Sequence, residues 1–295
     1  MFMVFTPFSF LFFSTYVVFL FSLFRISNFF FYWAVIELIM LLFIGLRYTL
    51  FVSSYSQLIV YFLIQTLASF LILVFYVYSL PLLLTVSFLM KLSMFPFFMW
   101  YINLVYKFPN FIFWLARTLH KVPAMVMIKL FSLPLDAALV WLSILARVLL
   151  SGIMMLSITD LRMLLVVSSI GNNSWFLLSQ IANTFVFLLF LIFYRVRLFL
   201  TLASFGSKSK PALRLSLQAS PYSLSMWVLS LSGMPPFPLF FGKILVIVSL
   251  YRAVPSSLFA LFLVFNSFML IGYFQSLIKY FVYVYSSNVH YLLKY

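Results

Sequence analysis

The chain of 295 residues contains no cysteine, only two histidines and only three acidic residues. Without cysteine it can form no disulfide, no iron–sulfur cluster and no thiolate metal site. The two histidines, His120 and His290, cannot supply the ligands of a two-haem cytochrome or a copper–haem centre. The sequence has no glycine-rich nucleotide-binding motif of the Gly-x-Gly-x-x-Gly or Walker type. We therefore expect no cofactor and no metal in this chain, and any redox role would depend on other subunits.

The chain is rich in apolar residues: 66% of its residues are hydrophobic and 7% are charged. Apolar runs of about 18 to 25 residues recur along its length, and each is long enough to cross a hydrocarbon core of about 30 Å. No segment shows the alternating pattern of a membrane β-strand. We predict an all-α polytopic membrane protein with about ten transmembrane helices. The predicted spans are 2–24, 29–46, 55–79, 81–105, 111–131, 135–158, 163–180, 181–203, 222–251 and 256–282.

The net charge of +15 comes from lysines and arginines scattered between these runs. Nucleic-acid binding requires a basic patch, so we exclude nucleic acid as a partner. Scattered basic loops follow the positive-inside rule, and the excess lies on the side of the N-terminus. Forty-one phenylalanines and only seven glycines look like the translation of a T-rich strand, which favours an organellar genome. We predict a multi-pass protein of the mitochondrial inner membrane with both termini in the matrix. The N-terminal side holds Arg47, Lys107, Arg162, Lys208, Lys210, Arg214, Lys279 and Lys294, and the other side holds Arg25, Lys129 and Arg252.

The ten spans divide into two sets of five. Because five crossings leave the chain on the opposite side of the membrane, the second set has the inverted orientation relative to the first. We predict a single membrane domain with inverted repeats at 1–133 and 134–285, followed by a polar tail at 286–295. Transporters with such repeats carry ionic sites on interrupted helices. Proline breaks a helix, which predicts interruptions of the fourth span near Met94–Pro96 and of the ninth near Met234–Pro236, and a disturbance of the fifth by Pro123. The prolines that break the two helices are Pro96, Pro235 and Pro236.

Four ionisable side chains lie in the middle of apolar runs, namely Glu37, Lys91, Lys121 and Lys243. Charges at bilayer depth are costly and mark ion or proton pathways. Burial favours the neutral form of a lysine and a nearby carboxylate favours the charged form, so a change of partner can move a proton. We expect all four groups to face the bundle interior near one plane, with Glu37 nearest to Lys91. Two interpretations of Glu37 stay open: a member of the path, or a structural counter-ion for a lysine.

Several segments resemble the family of NADH–ubiquinone oxidoreductase chain 2, the smallest antiporter-like membrane subunit of respiratory complex I. The similar segments are WAVIELIMLLFIGL, YFLIQTLAS, MKLSMFPFFMW, LHKVPA, LLVVSSIGNNSW and LSLSGMPPFPLFFGK. The resemblance implies that Glu37 is the glutamate of the family's fifth helix and that Lys91 belongs to the first broken helix. It likewise implies that Lys121 is the bridging lysine and that Lys243 belongs to the second broken helix.

The chain departs from the family pattern at several positions. Asn172 replaces a histidine, and His120 stands where relatives often have glutamine, which makes His120 a possible relay. Arg147 lies inside the sixth span and has two open interpretations: a member of the polar axis, or a partner of Asp136. The sequence ends at the tenth span, where related animal proteins usually have one more helix. We therefore expect an exposed flank, covered by lipid or an accessory subunit, that includes Phe262, Phe265 and Phe268.

These observations predict a core membrane subunit of complex I that translocates protons, coupled to electron transfer from NADH to ubiquinone. Its expected partners are other complex I membrane subunits, including neighbouring antiporter-like chains, together with accessory subunits and lipids. Flavin, iron–sulfur clusters and ubiquinone would be handled by other subunits. Two alternatives stay open. The first is a free-standing secondary cation/proton antiporter, which the same fold would serve. The second is a structural subunit that has lost pumping.

Overall fold

The computed structural model describes residues 7–50, 55–158, 160–204, 221–235, 237–251 and 254–292. Every regular element in these ranges is helical, as the sequence predicts. Two short 3-10 helices, Leu23–Arg25 and Leu119–Lys121, accompany the α-helices. The α-helices are α1 Pro7–Ser22, α2 Phe29–Leu50, α3 Tyr55–Tyr78, α4 Pro81–Lys91, α5 Met99–Val105, α6 Asn110–Arg117, α7 Val122–Leu130, α8 Ala137–Ser157, α9 Leu161–Ala182, α10 Thr184–Ser204, α11 Pro221–Ser232, α12 Pro238–Leu250 and α13 Ser256–Leu292.

Seven helical segments in the described part of the chain are long and apolar enough to cross a membrane. Each coincides with a predicted span. The other three predicted spans, 81–105, 163–180 and 222–251, are also helical. The first and last of them are broken, and the second is α9, which has a polar centre. The seven segments are Pro7–Arg25, Phe29–Leu50, Ser56–Tyr78, Asn110–Leu130, Ala137–Ser157, Thr184–Ala203 and Ser256–Lys279.

The chain forms two compact units, Met1–Ser143 and Ile144–Tyr295. In the first unit, α1 packs on α2, α3 packs on α4, and α2 also contacts α7. In the second unit, α10 packs against α9, α11 and α12, while α9 also contacts α12 and α13. The inverted relation of two five-helix repeats and their boundary near residue 133 stay predictions.

Helix α9 forms the core of the second unit, with nearly all of its side chains buried. The hydroxyl groups of Ser168 and Ser169 donate to the carbonyls of Leu165 and Val166, so part of its polar centre is satisfied within the helix. The ring of Phe176 packs edge-on against rings of α10. Polar groups are tolerated at membrane depth when protein surrounds them, and the burial of α9 meets that condition.

Helices α8 and α13 approach each other closely through two glycines. A Cβ atom at Gly152 would lie 2.8 Å from the Cβ of Phe268, and one at Gly272 would lie 2.6 Å from the Cβ of Met155. Only glycine fits at these two contacts, because small residues let membrane helices approach backbone to backbone. At the end of α8, the Nζ of Lys279 donates to the carbonyl of Leu156 at 3.0 Å.

The predicted break in the fourth span is confirmed. Helix α4 ends at Lys91, the chain passes through a non-helical segment that contains Pro96, and α5 begins at Met99. Within that segment Ser93 adopts a left-handed conformation with φ 54°. The amide of Met94 donates to the carbonyl of Leu89 at 2.7 Å, which closes the end of α4.

The predicted break in the ninth span is confirmed as well. Helix α11 ends at Ser232 and α12 begins at Pro238. Gly233 follows the end of α11 with φ 75°, the left-handed conformation in which glycine commonly terminates helices. Pro235 lies in the break, whereas Pro236 lies outside the described residues.

The fifth span is disturbed as predicted. Helix α6 ends at Arg117, a 3-10 turn covers Leu119–Lys121, and α7 starts at Val122. Pro123 stands in the first turn of α7, where its missing N–H costs nothing. Its ring excludes an α-helical carbonyl four residues earlier, which explains why the α-helix cannot run through the turn.

The expectation of an exposed flank at Phe262 is wrong. Phe262 is fully buried, because its ring packs at 4.8 Å against the ring of Trp175 in α9. Phe268 is 36% exposed and Phe265 is half-buried. Helix α13 continues to Leu292, beyond the end of the predicted span at 282. Residues 205–220 of the predicted polar connection, together with residues 1–6 and 293–295, lie outside the described residues.

Candidate functional site

Glu37 and Lys91 form an ion pair in the first unit. The Nζ of Lys91, the last residue of α4, lies 3.0 Å from the Oε1 of Glu37 in the middle of α2. The lysine side chain is 4% exposed and the glutamate side chain 18%. Opposite charges attract much more strongly in such surroundings than in water. The prediction that Glu37 lies nearest to Lys91 is confirmed.

The break after α4 determines where Lys91 stands. The last carbonyls of a helix carry partial negative charge, so a cation in the final turn is favoured. The amide of Leu92 donates to the carbonyl of Phe88 at 2.8 Å and completes that turn. The side-chain amide of Gln65 in α3 lies 3.5 Å from the carbonyl oxygen of Lys91, at the outer limit of a hydrogen bond. Lys91 is thus fixed at a helix end between α2 and α3.

Lys121 lies in the 3-10 turn between α6 and α7 and is buried. Its Nζ is 4.4 Å from the centre of the Tyr101 ring in α5, a cation–π distance. The hydroxyl group of Tyr32 in α2 donates to the carbonyl of Pro123 at 3.0 Å. This bond ties the start of α7 to the helix that carries Glu37.

His120 precedes Lys121 in the chain and lines a small cavity together with Lys91. Its ring packs against Phe43 at 4.6 Å and Tyr61 at 5.7 Å. Its Nδ1 is buried and has no hydrogen-bond partner among the described residues. This cavity has a volume of about 10 Å³, with room for about one water molecule, and Gln65 lines it as well. Apolar side chains of Ile36, Ile39, Met40 and Ala124 complete its lining.

Lys243 occupies the second unit, in the second turn of α12. It is buried, and its Nζ donates to the carbonyl of Ser232, the last residue of α11, at 2.8 Å. The lysine therefore reaches back across the break and caps the preceding helix. A Cβ atom at Gly233 would lie 2.9 Å from the Nζ. The indole ring of Trp175 lies 5.3 Å from the Nζ on another side.

Three other positions that the sequence analysis named have different surroundings. Arg147 in α8 is fully buried. Asp136 caps the start of α8, since its Oδ1 accepts from the amide of Ala138 at 3.1 Å. Asn172, which replaces a family histidine, is buried in α9, and its Nδ2 has no hydrogen-bond partner within the described ranges. A role of Arg147 in the path stays a prediction.

The structure thus brings Glu37, Lys91 and His120 together in the first unit, and Lys121 follows His120 in the chain. In the second unit, Lys243 contacts the end of α11 and the ring of Trp175. Within the described ranges no three His, Cys, Asp or Glu side chains gather as metal ligands do. Sequence reasoning missed four buried polar or aromatic residues that contact these lysines or support such a contact. An uncharged polar residue inside an apolar run would have indicated Gln65 and Asn266, but no local signal marks the aromatic rings. The four are Gln65, Tyr101, Trp175 and Asn266.

Comparison with known proteins gives a consistent result. Residues 76–270 match the family model described as NADH:quinone oxidoreductase/Mrp antiporter, TM. NADH-ubiquinone oxidoreductase chain 2 of Sibirionetta formosa is 31% identical over 180 residues, which cover 58% of this chain and 51% of that protein. The chain thus spans about half the length of the relatives it matches. The resemblance predicted from the sequence is confirmed.

Solved structures share the fold. A chain of respiratory complex I from Thermus thermophilus superimposes with a TM-score of 0.71 at 20% identity, over 84% of this chain and 64% of that one. A chain of the Mrp complex from Dietzia sp. gives a TM-score of 0.68 at 16% identity, over 84% and 56% of the two chains. The antiporter-like membrane fold predicted from the sequence is confirmed.

Proposed function

Because this chain belongs to the NADH:quinone oxidoreductase/Mrp antiporter transmembrane family, we propose that it is a core membrane-arm subunit of respiratory complex I. In this role it takes part in proton translocation coupled to electron transfer from NADH to ubiquinone. Its location is the mitochondrial inner membrane, with both termini in the matrix. Its partners are the other membrane subunits of the complex, accessory subunits and lipids. Flavin, iron–sulfur clusters and ubiquinone belong to other subunits.

The observation that carries the proposal is a buried lysine at each of two helix breaks. Lys91 ends α4 and pairs with Glu37, and Lys243 spans the gap between α11 and α12. Broken membrane helices expose backbone groups that require polar partners, and such sites bind ions in transporters. A structural role alone would not require ammonium groups at both breaks.

The chemistry of these groups suits stepwise proton transfer. The Glu37 carboxylate favours the ammonium form of Lys91, and its withdrawal would favour release of the proton. The His120 ring, or a water molecule in the small cavity beside it, would accept a proton from Lys91, and Lys121 follows His120 in the chain. We place Glu37, Lys91, Lys121 and Lys243 on one path, with His120 as a relay.

Replacement of Lys121 by methionine tests the proposal. Methionine keeps the length and volume of the side chain but carries no charge, so the fold should survive. We expect near-normal assembly, with proton pumping and coupled NADH–ubiquinone turnover lowered at least about tenfold. Lys121→Arg should also impair both, since guanidinium does not release its proton in this range. Pumping is measured in sealed membrane vesicles, alongside the amount of assembled complex.

Lys107 provides the matched control, because this lysine is exposed at the end of its span. Lys107→Met should leave turnover and pumping near the unmodified level. A Lys121→Met complex that assembles fully and pumps at the unmodified rate would reduce Lys121 to a structural role.

A second candidate function is cation/proton exchange by the chain outside complex I. The similarity in fold to a chain of the Mrp complex favours it. Co-purification with flavin- and cluster-bearing subunits distinguishes a complex I subunit from an independent antiporter, because an independent antiporter would have no such partners.

A further inference from the structure

Among the described residues Lys243 has no carboxylate partner, unlike Lys91. Its Nζ contacts the carbonyl of Ser232 and the ring of Trp175, and it forms no ion pair within the part of the chain that the structure describes. The groups that can respond to its charge are therefore a backbone dipole and an aromatic face. The carbonyl is fixed by the end of α11, whereas the ring belongs to a side chain that requires its own support.

Helix α13 supplies that support. The indole N–H of Trp175 donates to the Oδ1 of Asn266 at 3.0 Å, and the Phe262 ring packs edge-on against the indole with an interplanar angle of 70°. Asn266 and Phe262 are four residues apart, so they lie on one face of α13. All three side chains are buried. The hydrogen bond and the ring contact together fix the orientation of the indole.

An asparagine within the apolar sequence of α13 needs a physical reason. Burial of an amide in an apolar environment is costly unless its polar atoms are paired, and a buried indole N–H also needs an acceptor. The bond between Asn266 and Trp175 meets both requirements. Removal of the Asn266 oxygen would leave the indole N–H buried without its acceptor, and the ring would reorient.

We propose that Asn266 is a positioning residue for Lys243, acting by holding the face of Trp175 against the ammonium group. The inference rests on the proposed role of Lys243 in proton translocation. An indole face attracts an ammonium ion but not a neutral amine, so the position of the ring affects the charged form alone. Asn266 thereby influences proton uptake and release at Lys243 without touching it.

The test compares Asn266→Leu with Asn266→Gln in the assembled complex. Leucine has a similar volume and no acceptor, and we expect turnover and pumping to fall about fivefold, as for the loss of one buried cation–π contact. Glutamine keeps an amide acceptor and should restore at least half of the loss. Ser267→Ala serves as control, because this neighbouring hydroxyl is exposed and donates to a carbonyl of its own helix. Equal activity of the Leu and Gln variants would overturn the proposal.

A double variant makes the test independent of folding. Phenylalanine at position 175 has no N–H, so Asn266 loses its function in Trp175→Phe. We expect Trp175→Phe/Asn266→Leu to match Trp175→Phe alone in both pumping and turnover. If Asn266→Leu alone assembles poorly, the double variant should recover assembly, because the indole N–H that would be buried without an acceptor is gone. Additive losses in the double variant would show that Asn266 acts by packing and would overturn the inference.

Lys243→Met distinguishes this inference from the proposed function. If Lys243→Met pumps at the unmodified rate, the role of Lys243 fails, and the inference fails with it. If Lys243→Met abolishes pumping while Asn266→Leu pumps normally, the inference alone is overturned.

Discussion

A buried ammonium group needs a partner close by, and the three lysines that are buried in the described part of the chain have three different kinds of partner. Lys91 pairs with a carboxylate, Lys121 faces the ring of Tyr101, and Lys243 donates to a helix carbonyl. A carboxylate can itself change its charge, whereas a backbone carbonyl cannot and a tyrosine ring does so only at high pH, near its ordinary pKa of about 10. In the Glu37–Lys91 pair the charges of two side chains are therefore directly coupled.

Glu37→Gln tests that coupling. Glutamine keeps the shape of the side chain and removes its charge, which leaves Lys91 without its counter-ion. We expect a loss of stability of about 2 to 3 kcal/mol, at the lower end for a broken buried pair because Glu37 retains some solvent exposure. The amount of assembled complex and the rate of pumping should both fall.

Glu37→Gln/Lys91→Met provides the companion variant, because it removes both charges together. Replacement of a buried ion pair by neutral groups is often well tolerated, so assembly should recover while pumping stays lost. Recovery of pumping in the double variant would mean that the ion pair is structural and that neither Glu37 nor Lys91 belongs to the path. Assembly levels and proton uptake by vesicles, measured on the same membranes, decide between these results.

At the scale of elements, each break brings a lysine to a helix terminus, but by different routes. Lys91 is the last residue of α4, whereas Lys243 stands in α12 and reaches back to the end of α11. Proline predicts where a helix cannot continue, so both breaks could be located from sequence. Proline does not predict which of the two helix ends the lysine side chain contacts, because that depends on the path of the backbone through the break.

Charge within an apolar run is a local signal, and for that reason Glu37, Lys91, Lys121 and Lys243 could be selected from the sequence. Their uncharged partners could not be. Trp175 and Asn266 lie 91 positions apart and become neighbours only when α9 packs against α13. The same packing buries Phe262, which sequence reasoning had placed on an exposed flank. Contacts of this kind depend on tertiary structure and leave no periodic pattern.

Gly233→Ala tests the geometry of the second break. Alanine at φ 75° costs about 1 to 2 kcal/mol, and its Cβ would displace the Lys243 Nζ from the carbonyl of Ser232. We expect pumping to fall severalfold in complex that still assembles. Gly242→Ala is the matched control, because its Cβ would meet the Phe190 ring at 3.0 Å and leave the break untouched. Equal effects of the two variants would assign the loss to general packing.

At the scale of the whole molecule, the described part of the chain exposes many apolar side chains and buries many polar ones. Many phenylalanines and leucines of α1 and α10 are exposed, whereas the serines and asparagines of α9 are buried. This arrangement suits a lipid surround. A sequence without cysteine and with two histidines offers few ligands for redox metals, so the proposed coupling to NADH oxidation would depend on other subunits.

Co-purification tests this dependence. Mild detergent should release the chain in one peak with flavin fluorescence and iron–sulfur signals, and the peak should show NADH–ubiquinone turnover. Recovery of the chain apart from flavin, together with cation-dependent proton exchange by the reconstituted chain alone, would favour the antiporter. Both preparations are compared at equal amounts of the chain.

The glycine contacts between α8 and α13 have a mechanical consequence. Gly152 and Gly272 bring the two helices so close that rotation or sliding would drive side chains into backbone. We expect this contact to hold α8 and α13 at a fixed separation. Helical hydrogen bonding is already interrupted between α11 and α12, so we expect the second unit to bend there first. Under the proposed function, proton transfer at Lys243 would be accompanied by such bending while α8 and α13 keep their positions.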